Sequence, residues 1–261
     1  MSVVSSGESF LRAFHDANPG ITSHAFARGR SYERLAARVA SLVPHGRILD
    51  LACGDGVLLC LLGPNAIGVD LSHAELRSAN AAFDDILHTR YPELTRGETR
   101  VARARAQQLP FRDESFEAVT CHLAFMLFDD VGAVVAELAR VLEPGAPFIA
   151  LLGGGPTADG DDAFHAFARL VDTTRASGDK RASSEAGWRE LFADWRGARD
   201  ITFERWPLDL SGSFDEVWGF LSSSYQLDAH AAPRIRDELR AAFPGEHVAC
   251  MVATYCATVT R

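Results

Sequence analysis

The chain has 261 residues, 47% of them hydrophobic and 23% charged, the proportions of a globular chain with one large domain or one domain and a cap rather than of a disordered one. Its formal charge of −9, with no stretch that concentrates Lys and Arg, argues against nucleic acid and anionic membrane surfaces as partners. The five cysteines, Cys53, Cys60, Cys121, Cys250 and Cys256, show no CxxC spacing and no clustering with histidine; they argue against a metal site and suit a reducing cytoplasm better than a disulfide framework.

In chain order, Met1 to Phe14 carries Glu8 and Arg12 and no long apolar core, so it does not read as a secretory signal. Ser6 to Ala17 places Phe10, Leu11 and Phe14 at helical spacing, and Asn18-Pro19-Gly20 stops that helix. Ser31 reads as the N-cap of a second helix carrying Tyr32, Leu35, Val39 and Leu42 on one face. Short apolar strands and helices then alternate. Strands are expected at Ile48 to Leu51, Ala66 to Asp70, Val101, Phe116 to Cys121 and Phe148 to Leu152. Helices are expected from Val57 to Leu62, from a Ser72 cap to about His88, and from Val131 to Leu142. Such alternation implies a parallel sheet covered on both faces. Beyond Gly155 the pattern loosens. Helices are expected over Phe164 to Val171, Gly187 to Phe192, Phe214 to Ser222 and Pro233 to Phe243, and strands over Ile201 to Leu210 and His247 to Val259. No apolar run is long enough to span a bilayer.

The chemistry concentrates in Asp50-Leu51-Ala52-Cys53-Gly54-Asp55-Gly56, where an acid ends a strand and two glycines lie in the turn before a helix. Glycines there permit positive φ and close approach of a ligand to the backbone. Asp70 ends the next strand, at the spacing from which an acid receives ribose hydroxyls. A dinucleotide fingerprint would need a third glycine where the chain has Leu59. An NAD(P)-dependent oxidoreductase is therefore the weaker reading, and a noncatalytic nucleotide-binding protein a further alternative.

These segments resemble the class I S-adenosylmethionine-dependent methyltransferases, in particular their ubiquinone/menaquinone-methyltransferase-like branch. The resemblance covers about residues 46–153. It is carried by Ile48 to Gly56, by Gly68-Val69-Asp70-Leu71-Ser72, by Ala106 to Phe111 with Asp113 to Val119, and by Glu137 to Gly145. It implies an α/β, Rossmann-like, doubly wound seven-stranded sheet whose last strand is antiparallel. The domain organisation expected is an N-terminal helical lid at 1–45 and a cofactor-binding domain at 46–261, with helical insertions at 156–199 and 211–246 completing a cap. The resemblance further implies S-adenosylmethionine as cofactor: Asp50, Ala52, Cys53, Gly54 and Gly56 face its methionine part and Asp70 its ribose. Leu71, Ala106 and Gln107 line the adenine, and Cys121 and His122 border the sulfonium. Two departures stand out. Ala52 replaces the first glycine of the motif, and Arg105 stands where the family often has an acid reading the adenine amine, which leaves Gln107 or the backbone for that task.

Methyl transfer needs alignment and exclusion of water, and a base only if the acceptor must lose a proton. His122 is the candidate base or orienting group. Arg28 and Arg30 are candidates for the cofactor carboxylate, and His15, His24, Tyr32, Phe125, Trp218 and Tyr225 for the acceptor, with core packing the competing role for Phe125 and Trp218. A nucleic-acid acceptor would call for a basic face and, for base amines, an Asn/Asp-Pro-Pro-aromatic motif where the chain reads Cys121-His122-Leu123-Ala124. A small-molecule methyl acceptor is therefore expected, with its O, N or C atom open.

Overall fold

The computed structural model describes residues 6–90, 100–157, 160–172 and 178–261. Two residue ranges of the expected 156–199 insertion, 158–159 and 173–177, lie outside it. Eight strands form one sheet: β1 (Ile48–Leu51), β2 (Ala66–Asp70), β3 (Val101–Arg103), β4 (Ala118–His122), β5 (Pro147–Pro156), β6 (Thr202–Arg205), β7 (Leu208–Asp209) and β8 (Met251–Thr260). Their order is β3-β2-β1-β4-β5-β8-β6, with the two-residue β7 beside β8. The first five strands are parallel, and β8 is antiparallel to β5, β6 and β7. This is the doubly wound α/β sheet with an antiparallel last strand that the resemblance implies, with the short β7 as an eighth strand.

The helices are α1 (Ser6–Ala17), α2 (Ile21–Phe26), α3 (Ser31–Leu42), α4 (Val57–Leu62), α5 (His73–Arg90), α6 (Val131–Val141), α7 (Ala163–Ala168), α8 (Glu185–Leu191), α9 (Phe214–Ser222) and α10 (Ala232–Ala242). Strand alternation divides the core. Ile48, Ala118, Ile149 and Leu151 pack on α3, α4 and α5 through Leu35, Val39, Leu58, Leu59, Leu76 and Phe83. Leu49, Val119, Phe148 and Ala150 face the other way, towards Val134 and Leu138 of α6 and Trp188 of α8. A third cluster joins Phe167 of α7, Val217 and Leu221 of α9 and Ile235 of α10 around β7 and Val252.

Several boundaries depart from expectation for local reasons. The expected strand 201–210 is two short strands, interrupted where Pro207 has no N–H to give the ladder. The glycines after Leu152 stay in β5, whose pairing with β8 shifts register between Gly153 and Pro156. Ser72 caps as expected, its Oγ accepting from Glu75 N at 3.2 Å. Ser31 does not: Arg30, at φ 52, holds the cap position of α3, and the Ser31 hydroxyl is committed to the cavity described below. Helix α2 was not legible.

β1, β2 and β3 run outward on one side while β4 starts again on the other side of β1, so the crevice beyond the carboxyl ends of β1 and β4 is the switch point where ligands of such sheets bind. The β1–α4 turn is built for close packing. Gly56 has φ 84, and a Cβ there would lie 2.9 Å from Ala79 Cβ of α5. Gly56→Ala is expected to cost about 2–4 kcal/mol from a strained φ and a forced shift of α5, read as a lower urea midpoint at unchanged slope; a loss below about 0.5 kcal/mol would show that the turn relaxes.

Candidate active site

A cavity of about 540 Å³ opens at this switch point, walled by the strand ends, by α1 to α3, by the segment after β4, and by α7 and the residues after α9. Its floor carries carboxylates. Asp50, at the end of β1, is 1% exposed, and neither of its oxygens has a hydrogen-bond partner among the described residues. Burial, followed by the charges of Asp70 and Asp55, pushes its pKa well above the usual carboxylate range. Asp70, at the end of β2, accepts from Gly54 N at 3.0 Å and Ser72 N at 2.8 Å. Burial raises it too, against those two bonds. Asp55 is raised by burial against the bond it accepts from Ser23 Oγ. Ala52, at φ 58, and Gly54, at φ 54, hold the turn between them open, and a Cβ on Gly54 would meet nothing within 4 Å.

The N-terminal helix closes this floor. Glu8, Leu11, Arg12, Phe14 and His15 recur at helical spacing and all line the cavity. Three side chains of α1 fasten it. Glu8 pairs with Arg105 at 2.8 Å and accepts from Gln107; Asp16 accepts from Ser72 Oγ at 2.7 Å; His15 Nδ1 donates to buried Glu75 at 2.8 Å. Glu75 also accepts from Gly20 N, which ties down the turn after α1.

His122 ends β4 beneath α3. Tyr32 stacks on its ring at 3.7 Å between centroids and 18° between planes, and Ser31 Oγ hydrogen-bonds its Nε2 at 2.9 Å. Burial pulls its pKa down to about 3, against a backbone hydrogen bond that raises it, so the imidazole is neutral at physiological pH and a weak proton acceptor. That geometry suits an orienting group.

Of the residues singled out from sequence, Asp50, Ala52, Cys53, Gly54, Asp70, Leu71, Ala106, Gln107, His122, His15, Tyr32 and Tyr225 line the cavity. Seven do not. Gly56 packs against α5. Cys121 has the opposite strand parity to His122 and faces the α6 side of the core. Phe125 is fully buried among Phe148, Trp188 and Phe192. Arg28 donates to the Leu210 and Ser211 carbonyls, fastening the N-terminal segment to the β7–α9 connection. Arg30 is a surface residue near Glu33. His24 is exposed on α2, over a separate surface groove, and Trp218 packs in the α9–α10 cluster. Sequence reasoning missed Glu8, Arg12, Ser31 and Glu75; the i, i+4, i+7 stripe Glu8–Arg12–His15 was the available signal for the first two.

The His15–Glu75 bond makes α1 pH-sensitive. Burial lowers the His15 pKa, but the hydrogen bond to Glu75 and the charges of Glu75, Asp70 and Asp16 outweigh it, so the value is raised above 6.5. A raised imidazole pKa contributes stability that is complete below the unfolded value of about 6.5 and fades as pH rises through the folded value. Amide exchange in α1 is expected to be slower in the wild type than in His15→Gln at pH 5.5, with the difference shrinking at pH 9; an equal or larger difference at pH 9 would contradict the assignment.

Residues 49–150 match the family described as methyltransferase domain. The chain is 36% identical to the demethylmenaquinone methyltransferase of Thermus thermophilus over 49% of this chain and 56% of that protein. It is 32% identical to the 2-phytyl-1,4-naphtoquinone methyltransferase of Synechococcus elongatus over 47% and 52%. It thus spans about half the length of these quinone methyltransferases. The crystal structure of the YcgJ protein of Bacillus subtilis shares the fold, with a TM-score of 0.59 at 21% identity over 88% of this chain and 97% of that one. Among the described residues no helix is long and apolar enough to cross a membrane. The similarity to methyltransferases thus rests on residues 49–150, the segment that runs from β1 into β5 and carries the floor of the cavity.

Proposed function

We propose that the protein moves the methyl group of S-adenosylmethionine to a small, largely apolar acceptor held in the same cavity. The observation that carries this reading is the Asp50 carboxylate, both of whose buried oxygens lack a partner among the described residues. An isolated buried charge costs several kcal/mol, and such a group is retained where a ligand completes it. A cation is the natural complement, and Asp55 and Asp70 add to the negative field. The cofactor fits this donor set, since it carries a sulfonium and an ammonium group. When bound, it supplies an electrophilic methyl on a positively charged sulfur.

The chain's own residues would do the rest. Asp50 would face the cationic end and Asp70 would accept from the ribose hydroxyls, as its two backbone bonds leave lone pairs for them. Leu71 and Ala106 would flank the base. Arg12, rather than Arg28 or Arg30, is within the cavity wall to meet a carboxylate. On the far wall Phe14, Met126, Phe128, Phe164, Phe220 and Tyr225 give an apolar chamber that would exclude water from the transfer. The Tyr225 hydroxyl, its pKa raised by burial, stays protonated as a donor to the acceptor. His122, neutral and clamped, would align the acceptor rather than take its proton. The quinone substrates of the two relatives are compatible with this chamber, and the acceptor is proposed to be of that flat, apolar kind.

Calorimetric titration with S-adenosylhomocysteine tests the reading. The wild type is expected to bind, and Asp50→Ala to lose at least about tenfold in affinity, or about 1.4 kcal/mol, while its ligand-free melting temperature stays level or rises because an unpaired buried carboxylate has gone. Wild-type protein that binds a nicotinamide dinucleotide and not S-adenosylhomocysteine would refute the assignment.

A further inference from the structure

A second cavity lies directly behind the first. It is a groove of about 840 Å³ on the outer surface, between α2, the start of α3, α4 and α5, with Pro19, Ile21, His24, Ala27, Val57 and Leu61 along it. Gly20, Ser23, Tyr32 and Asp55 line both cavities, so a single layer of residues parts them. The layer is thin, because the Gly20 backbone passes so near Asp55 that a Cβ there would lie 3.0 Å from Asp55 Oδ2. A side-chain bond closes it: Ser23 Oγ donates to Asp55 Oδ2 at 2.5 Å. Tyr32, beside that bond, is held by its stack on His122.

The chain around this bond is arranged to move. Helix α2 and the turn after it lie between two residues in the left-handed region, Gly20 at φ 75 and Arg30 at φ 52, and hinges are short positions of this kind at element ends. The far end is anchored: Arg28 donates to the Leu210 and Ser211 carbonyls, and Gly29 sits against Leu208 of β7 and Leu210. At the near end Gly20 N is fixed to Glu75, so a swing of α2 falls on Ser23 and Asp55 rather than on α1. The groove leads to the cofactor half of the cavity. Asp55 belongs to the β1–α4 turn beside Asp50, whereas Phe14, Met126, Phe164, Phe220 and Tyr225 of the acceptor wall line the inner cavity alone. The acceptor half reaches the surface elsewhere, where exposed Lys180 lines it. We propose that the groove is the cofactor's route to the floor and the Ser23–Asp55 bond its latch, so that cofactor and acceptor exchange through different openings. The inference rests on the cofactor reading above. Charge suits the path to a cation, since Glu33 lies on the groove and Asp55 at its inner end.

The test follows association and dissociation of S-adenosylhomocysteine on the full chain by stopped flow, with the affinity from calorimetry. Ala27 and Leu61 are exposed and line the groove but not the inner cavity, so a tryptophan at either fills the route without touching the bound ligand. Ala27→Trp is expected to slow both rates by at least about fivefold and to leave the affinity within about twofold, because an obstacle on a path raises the barrier in both directions and leaves the end states unchanged. Leu61→Trp gives the same readout from the opposite wall if Ala27→Trp does not fold. Ser23→Ala, which removes the latch, is expected to speed both rates by at least about threefold. Lys180→Trp, at the other opening, is expected to leave both rates within about twofold of the wild type. A folding defect changes the binding fraction or the affinity and does not scale the two rates by a common factor. Unchanged rates in both groove variants, or rates slowed by Lys180→Trp in their place, overturn the route; unchanged rates in Ser23→Ala overturn the latch. Failure of the wild type to bind S-adenosylhomocysteine overturns the cofactor reading and this inference with it.

Discussion

The Asp50 carboxylate lies near the end of a buried strand with no hydrogen-bond partner among the described residues, and the arrangement of the cavity follows from keeping it so. Parallel register sets Asp50 beside Gly68 of β2 and Thr120 of β4. The first has no side chain, and the second carries a buried hydroxyl that is itself without a partner among the described residues. Above it, the positive φ of Ala52 and Gly54 turns the chain away and leaves space rather than side chains. Electrostatics then make the cavity favour a cation, since Asp55 and Asp70 deepen the field and no arginine reaches Asp50 by an ion pair among the described residues.

An open, charged floor needs a cover that excludes water without cancelling the charge. Helix α1 meets that need because its contacts go to the rim: Arg105 and Gln107 after β3, Ser72 at the start of α5, and Glu75 one turn further on. Each bond pairs an α1 side chain with a group beside the acids of the floor rather than with Asp50. The apolar part of the cover comes from elsewhere. Phe26 sets its edge against the His122 ring and against Phe220 of α9, and Phe14 meets Tyr225 edge-on, so α1 and α2 share aromatic contacts with α9 and the residues after it.

What the sequence made legible and what it hid divide along a physical line. The floor was readable because it is local: Asp50 to Gly56 and Asp70 each lie within one strand–turn segment, and the covalent spacing of a βαβ unit sets where they meet. The cover was not, because its residues meet across long separations. Arg28 and Arg30 were reasonable carboxylate partners by residue type, yet one is consumed by carbonyls 182 and 183 positions away and the other points to solvent. Ser31 has the residue type of a helix cap, but a buried imidazole 91 positions away claims its hydroxyl. Cys121 and His122 were grouped together although strand alternation must send them to opposite faces, and parity alone would have separated them. Phe125 and Trp218 show the usual outcome for aromatics in such chains, which is the core.

The clamp on His122 bears on the kind of chemistry the cavity can perform. On the proposed reading, an imidazolium beside a bound sulfonium would place two like charges in a poorly solvated space, which costs several kcal/mol. Burial removes that conflict by keeping the ring neutral through the physiological range. The same burial makes the ring a weak base. On the proposed reading, an acceptor in this cavity would reach it already ionised, lose its proton to another group, or attack through an atom that needs no prior deprotonation. Ser31 and Tyr32 begin α3, directly after the left-handed turn at Arg30, so the same short turn that closes the N-terminal segment over the floor also sets the ring that faces the acceptor.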